Sequence, residues 1–376
     1  LLEIDLRNKP WNLCKNSFNK ISLEELKVIF EETYNQIKNE TIFSNIPFKY
    51  FPDYILFEYW ANNNKHLELG SKERLYYKIK DKIPYTIRKN LRNIYSAKQI
   101  KKSKTHWPIE DRYILFLHIL IEKVEKKTGL NLLPLNLWPK KHRCSFAITH
   151  DVEGPEGFNN IPVLMEIEEE YGFRSIFNLV PHKYKINQDF VNHSRTKGFD
   201  IGLHGLKHDG KLFWSEEEFK KRAKIINGYI EEFGIKGFRS PLTHRNPEWL
   251  QLLNISYDMS FFDTDPFEPI PGGTMSIYPF FMKNYIELPY TLPQDNLLFN
   301  VLKKRNINIW KEKVNFIERF NGMVLINVHP DYISKKNKWE VNKYPLALYE
   351  EFLSFMKDKK CWTPLPMEIV HWWAKE

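Results

Sequence analysis

Cysteine is scarce in this chain: Cys14, Cys144 and Cys361 are the only three in 376 residues, odd in number and without paired spacing. That excludes a zinc ribbon, argues against a disulfide framework, and points to a reducing, cytoplasmic compartment. No long hydrophobic run exists either. The most apolar stretch, Tyr113 to Ile121, is about half of what a bilayer requires and contains His118. A membrane-spanning helix is therefore not expected. The opening residues Leu1-Leu2-Glu3-Ile4-Asp5 are broken by charge and lack the apolar segment of a signal peptide. Internal repeats and low-complexity tracts are missing too, which sets aside solenoids and disordered chains.

What is present is the composition of an ordered globular protein, 42% hydrophobic and 27% charged, with a net charge of +9. The charge is unevenly placed. Residues 1–140 hold 25 Lys and Arg against 16 Asp and Glu, whereas residues 141–376 hold 31 of each. Within the first part, Lys72 to Lys104 carries 12 basic residues and only Glu73 and Asp81 as acids, interleaved with tyrosines. Such a stretch reads either as a solvated helical face or as a surface for an anionic membrane or a phosphate-bearing glycan precursor. No nucleic-acid-binding motif accompanies it, and a nucleic-acid partner is not expected.

Two regions follow from the patterning. Residues 1–140 read as mostly helical. Ser22 and Glu25 form a capping-box opening to one helix, and Trp107-Pro108-Ile109-Glu110 leads into another that Gly129 stops. After the Pro134 to Pro139 linker, short apolar runs alternate with amphipathic helices. Strands are expected at 144–149, 175–180, 200–203, 237–239, 285–288 and 323–328. Helices are expected at 162–171, 188–196, 216–233, 247–253, 297–320 and 345–358. Strand-then-helix order predicts an α/β fold with a parallel sheet, here a distorted β/α barrel over residues 141–376. The polar residues then fall at one edge. Asp151 and Glu153 follow the first strand, His204 and His208 the third, Arg239 ends the fourth, and His329 follows the last. Carboxyl ends of parallel strands are where such side chains converge.

His204 and His208 are four residues apart, which on a helical turn puts both imidazoles on one face. With Asp151 or Glu153 they would hold one cation and leave positions open for water and substrate, as a hydrolytic site does. Zinc suits that donor set; cobalt, nickel or iron fit it as well.

Five segments in order resemble the motifs of the polysaccharide deacetylases, the family-4 carbohydrate esterases with the NodB-homology domain. They are Phe146-Ala147-Ile148-Thr149-His150-Asp151-Val152-Glu153, the His204 to His208 segment, Arg239-Ser240-Pro241, an acidic loop at Tyr257-Asp258 or Asp263-Thr264-Asp265, and Leu325-Ile326-Asn327-Val328-His329-Pro330. The resemblance implies a metal-dependent de-N-acetylase acting on an N-acetylated glycan or a lipid-linked sugar precursor. It assigns the general base to Asp151, its orienting partner to Arg239, the acid to His329, and two metal ligands to His204 and His208. One position departs from the family. Where the pattern has a second Asp, as ligand, this chain has Val152, and Glu153 is the substitute. Two other readings stay open: an amidohydrolase on a small non-sugar amide, and a catalytically inactive glycan-binding relative.

Overall fold

The computed structural model describes residues 20–37, 51–58, 67–79, 82–84, 100–133 and 136–375. Eleven strands and eleven α-helices are named here in chain order. The strands are β1 (Cys144–Val152), β2 (Ser175–Leu179), β3 (Asp200–Leu203), β4 (Gly237–Phe238), β5 (Tyr257–Asp258), β6 (Phe280–Phe281), β7 (Ile286–Glu287), β8 (Met323–Val328), β9 (Ile333–Ser334), β10 (Tyr344–Pro345) and β11 (Cys361–Trp362). The helices are α1 (Leu23–Ile37), α2 (Phe51–Leu56), α3 (Ser71–Ile79), α4 (Arg112–Thr128), α5 (Pro155–Tyr171), α6 (Gln188–Thr196), α7 (Glu216–Phe233), α8 (Pro247–Leu250), α9 (Asn308–Arg319), α10 (Ala347–Lys357) and α11 (Pro366–Trp373).

The main sheet of nine strands runs β8-β1-β2-β3-β4-β5-β7-β6, with β11 also paired to the start of β1, and is parallel throughout except for β6. It curls. Beyond β7, the amides of Thr291 and Leu292 both donate to the carbonyl of Leu325 in β8, so the far side of the sheet returns to the near one. This is the distorted β/α barrel expected from the alternating pattern, with β1 at its centre and buried at all nine positions.

Several boundaries move for identifiable reasons. The helix expected from Pro162 begins at Pro155 and carries Pro162 inside it. The single helix expected over 297–320 is broken: a wide turn covers Asn296–Val301, Lys303 takes a left-handed φ of 56°, and α9 begins at Asn308. The capping box is formed, with the Glu25 amide donating to Ser22 Oγ at 3.2 Å and the Ser22 amide donating to Glu25 at 3.0 Å.

The cysteines correct the sequence reading. Cys144 and Cys361 are joined in a disulfide, because β11 lies parallel beside β1 with these two residues in register. Separation by 217 residues hides that register from any spacing argument.

About half of the Lys72 to Lys104 stretch, residues 80–81 and 85–99, lies outside the described residues. No helix among those described is long and apolar enough to cross a membrane.

The described part of residues 1–140 packs on the barrel through one continuous core that includes Phe30, Leu56, Phe116 and Leu120. Its firmest tie is ionic. Glu58, fully buried, meets Arg245 in a bidentate pair at 2.6 and 2.7 Å, and Arg245 lies over the ring of Phe262. Breaking such a pair from one side strands a buried charge. Glu58→Ala is accordingly expected to cost about 3–5 kcal/mol in urea unfolding; a loss below about 1 kcal/mol would show the pair to be dispensable.

The proline-rich segment Asp263 to Phe281 is mostly interior. Phe267 packs edge-on against Trp107, and the Gly273 amide donates to Glu58. Phe267 thus fills space between the barrel and the segment leading into α4, while the Tyr278 hydroxyl donates to the Phe320 carbonyl at 2.6 Å.

Candidate active site

Strand alternation explains how the Asp-Val-Glu sequence works. In β1, Thr149 and Asp151 point into the barrel, while His150 and Val152 point back toward the helices. Val152 is fully buried in the apolar core. His150 stacks on Phe177 at 4.7 Å and places Nε2 2.7 Å from Glu168 of α5. Glu153, two residues beyond Asp151, returns to the inner face with a side chain one methylene longer.

Asp151 is buried and held on both oxygens. Asn178 Nδ2 donates to Oδ1 at 3.0 Å, Asn327 Nδ2 donates to Oδ2 at 2.8 Å, and Arg239 Nη1 lies 3.4 Å from Oδ1. Burial alone would raise its pKa; the positive charges of His204 when protonated, Arg239 and His329, with the Asn178 hydrogen bond, bring it to about 2. Arg239 is in turn fixed by donating to Thr149 Oγ1 at 2.7 Å and to the Met259 carbonyl at 2.8 Å. Room for Asn178 comes from Gly202 on the neighbouring strand, where a Cβ would sit 2.2 Å from the amide oxygen.

The two histidines meet, but not on a helix. Residues 204–208 form a loop in which Gly205 and His208 take left-handed φ values of 66° and 51°. The i to i+4 helical argument is thus corrected: a reversing loop, not a helical turn, brings the rings to 5.1 Å. Asp209 anchors that loop to Arg222 of α7 by two hydrogen bonds, at 2.8 and 3.0 Å. On its other side Tyr77 of α3 packs against Gly210, and the Tyr77 hydroxyl lies 3.2 Å from Nε2 of His244.

Glu153, His204 and His208 offer one ligand atom each, all within 4.8 Å of one another. His204 Nδ1 is 3.1 Å from the Arg239 carbonyl, so its proton belongs there and Nε2 is left as the free donor. Burial lowers the His204 pKa to about 4, against the pull of Asp151, which keeps the ring neutral as a ligand must be. Nε2 of His208 is buried 3.0 Å from Glu153 Oε1 yet makes no hydrogen bond, an orphaned nitrogen that a shared cation would satisfy. Burial would raise the Glu153 pKa, but His208, His329 and the hydroxyl of Tyr332 hold it well below the usual value. The donor set fits a divalent cation. A second acidic group, His106, Glu110 and Asp111, has its central carboxylate already taken by Arg112.

His329 faces the same space, with Nε2 3.9 Å from Glu153 Oε1. Its Nδ1 is 2.6 Å from Asp295, which also accepts from the His329 amide at 2.8 Å and the Tyr344 hydroxyl at 3.0 Å. Burial would lower the His329 pKa; the Asp295 charge and hydrogen bond, with Glu153 and Asp151 beyond, raise it to about 10.

Asp295 is thus the carboxylate behind His329, and none of the acidic-loop candidates Asp258, Asp263 and Asp265 is. Those three are engaged elsewhere: Asp258 with Ser260, Asp263 with Lys313, and Asp265 with the Phe267 amide. Asp295 was missed because it lies in a turn after β7, 34 residues from His329. Asn178 and Asn327 carried a usable signal, each being a lone amide inside an apolar strand. Asp331, which accepts from the Glu153 amide at 2.9 Å and from the Gly157 amide at the start of α5 at 3.2 Å, follows the His329-Pro330 motif directly.

No family model matches the sequence, and no curated protein matches it. Solved structures do. A probable polysaccharide deacetylase from Pseudomonas aeruginosa PAO1 superposes with a TM-score of 0.52 at 14% identity, covering 65% of this chain and 95% of that one. The Puue allantoinase superposes at 0.50 with 14% identity, covering 65% and 94%. A putative polysaccharide deacetylase from Mycobacterium smegmatis gives 0.46 at 17% identity, covering 62% and 91%. The chain thus carries the fold of the polysaccharide deacetylases, the family whose five motifs its sequence resembles in order.

Proposed function

We propose that this protein is a metal-dependent amide hydrolase that removes N-acetyl groups from a glycan or a lipid-linked sugar precursor. One observation carries the reading: a three-ligand cluster of Glu153, His204 and His208 lies between an ionised carboxylate, Asp151, and a carboxylate-backed imidazole, His329. A divalent cation held there, zinc by preference and otherwise cobalt, nickel or iron, would polarise the acetyl carbonyl and acidify the attacking water.

The rest is the work of side chains. Asp151, oriented by Arg239, Asn178 and Asn327, takes a proton from the water as its oxygen adds to the acetyl carbon. His329, with Nδ1 fixed on Asp295, gives its Nε2 proton to the nitrogen as the C–N bond breaks. Acetate and a free amine leave, Asp151 gives its proton up to solvent, and His329 regains one from solvent. A low carboxylate pKa makes Asp151 a weak base, so its contribution depends on the acidity supplied to the water.

The allantoinase with this fold favours a second reading, hydrolysis of a small non-sugar amide at the same centre. Acetate release from N-acetylglucosamine oligomers, compared with turnover of cyclic ureides, separates the two. Chelation is expected to lower acetate release at least about a hundredfold, with zinc restoring it. Purified protein with no bound metal and no turnover of either class would leave only a glycan-binding role.

Residues 141–376 are proposed as the catalytic unit and residues 1–140 as a region docked on it. Lys72 to Lys104 is proposed to face an anionic membrane surface or a phosphate-bearing precursor. With Cys144 bonded to Cys361, the cysteine argument for a cytoplasmic location no longer stands. An oxidising compartment is the proposed site of action.

A further inference from the structure

A second basic surface, separate from Lys72 to Lys104, lies on the acid side of the site. Lys303, Lys304 and Arg305 are exposed in the loop before α9, and Lys335, Lys336 and Lys338 are exposed between β9 and β10. The two loops are in contact, since the Arg305 guanidinium lies 3.9 Å from the centre of the Trp339 ring. Lys335, Lys336 and Lys338 have no carboxylate partner among the described residues. At the tip, Val341 is 78% exposed and Trp339 38%.

The chemistry selects the partner. A sugar would need a free aromatic face, but one side of Trp339 is covered by Arg305, and its ring also packs against Phe299. Val341 offers neither a π-face nor a hydrogen bond. An exposed valine and a partly exposed tryptophan among Arg305, Lys335, Lys336 and Lys338, with Glu340 the one acid of that loop, match instead the interface of an anionic bilayer.

The patch is also placed to matter. Phe299 packs on both Trp339 and Tyr344, and the Tyr344 hydroxyl donates to Asp295 behind His329. On the other flank, α3 touches the metal-ligand loop through Tyr77 and exposes Leu75 (60%) and Ile79 (41%) beside Lys72 and Lys78. Each basic, apolar patch is thus tied by direct packing to one side of the candidate site.

We propose that the loop around Trp339 and Val341, with Arg305 against it and Lys335, Lys336 and Lys338 within it, docks this protein onto an anionic membrane surface. The inference does not depend on the hydrolase reading, because docking is measured without turnover. Full-length protein is expected to sediment at low salt with vesicles of equal parts phosphatidylcholine and phosphatidylglycerol, but not with phosphatidylcholine alone. Each lysine near the surface is worth roughly fivefold in binding, so Lys335→Glu, Lys336→Glu and Lys338→Glu together should weaken association at least about a hundredfold. Val341→Asp, at an exposed tip, should weaken it roughly tenfold or more without altering the unfolding midpoint. Turnover of a soluble substrate should be unchanged in both variants. Absence of sedimentation with the mixed vesicles at low salt would overturn the proposal, as would binding that neither variant alters. Capture by immobilised dextran sulfate without vesicle binding would overturn it too, by making an acidic polymer the occupant.

Discussion

Asp151→Asn is expected to leave bound metal near the wild-type level and to lower acetate release about a thousandfold, whereas Glu153→Ala is expected to lose the metal itself. The two carboxylates differ in what surrounds them. Asp151 has both oxygens occupied by amide donors, with Arg239 beside it. Glu153 faces the unbonded Nε2 of His208 and belongs to the cluster whose ligand atoms converge. Removal of an outer-shell partner commonly costs 10–100-fold in metal affinity, so loss of one of three ligands should cost more than about a hundredfold. Metal content by mass spectrometry, set beside initial rates, reads both effects. The reverse pattern, with metal lost in Asp151→Asn and kept in Glu153→Ala, would exchange the two roles. A companion variant sharpens the test. Val152→Asp would restore the paired carboxylates of the family's motif, yet Val152 points into the apolar core. Burying an unpaired carboxylate there should destabilise the fold by several kcal/mol rather than improve the site.

Asp295→Asn should have the second largest effect, and its signature is a pH profile. His329 is held at about 10, above the ordinary imidazole value of 6.5. The protonated form is thus complete through neutral pH and is lost only as pH rises through about 10. Asp151, at about 2, is ionised over the whole of that range. Activity governed by this pair therefore has its alkaline limb near pH 10 and no acid limb from Asp151 above about pH 3. Asparagine removes the charge and leaves a single acceptor oxygen for donors that now share a carboxylate. The alkaline limb should then move down by roughly one to three pH units. Turnover near neutrality should fall about a hundredfold, the lower end of what a general acid contributes. An unchanged limb with a merely lower rate would assign Asp295 a packing role and leave the proton to another group.

The same linkage bears on stability. A histidine raised in the folded state stabilises it fully below pH 6.5, and that contribution disappears as pH rises through about 10. Destabilisation in Asp295→Asn should accordingly be larger near pH 6 than above about pH 10.

Much of this was legible in the sequence because it is local. The Ser22 and Glu25 cap, the bounds of α6, α7, β3 and β8, and the alternation that places Asp151 inward follow from spacing within a few residues. So did the convergence of Asp151, Glu153, His204, His208, Arg239 and His329, because carboxyl ends of parallel strands share one edge. What the sequence left open depends on register and on loop path. Cys144 and Cys361 pair because β11 lies beside β1, which no count of cysteines reveals. His204 and His208 converge through left-handed φ values at Gly205 and His208, not through a helical turn. Asp295 reaches His329 because the chain beyond β7 turns back to β8. The residue types that make the chemistry were determined by the sequence. Which carboxylate stands behind which histidine was decided by tertiary structure, since those pairings cross strands and loops that only the closed sheet brings together.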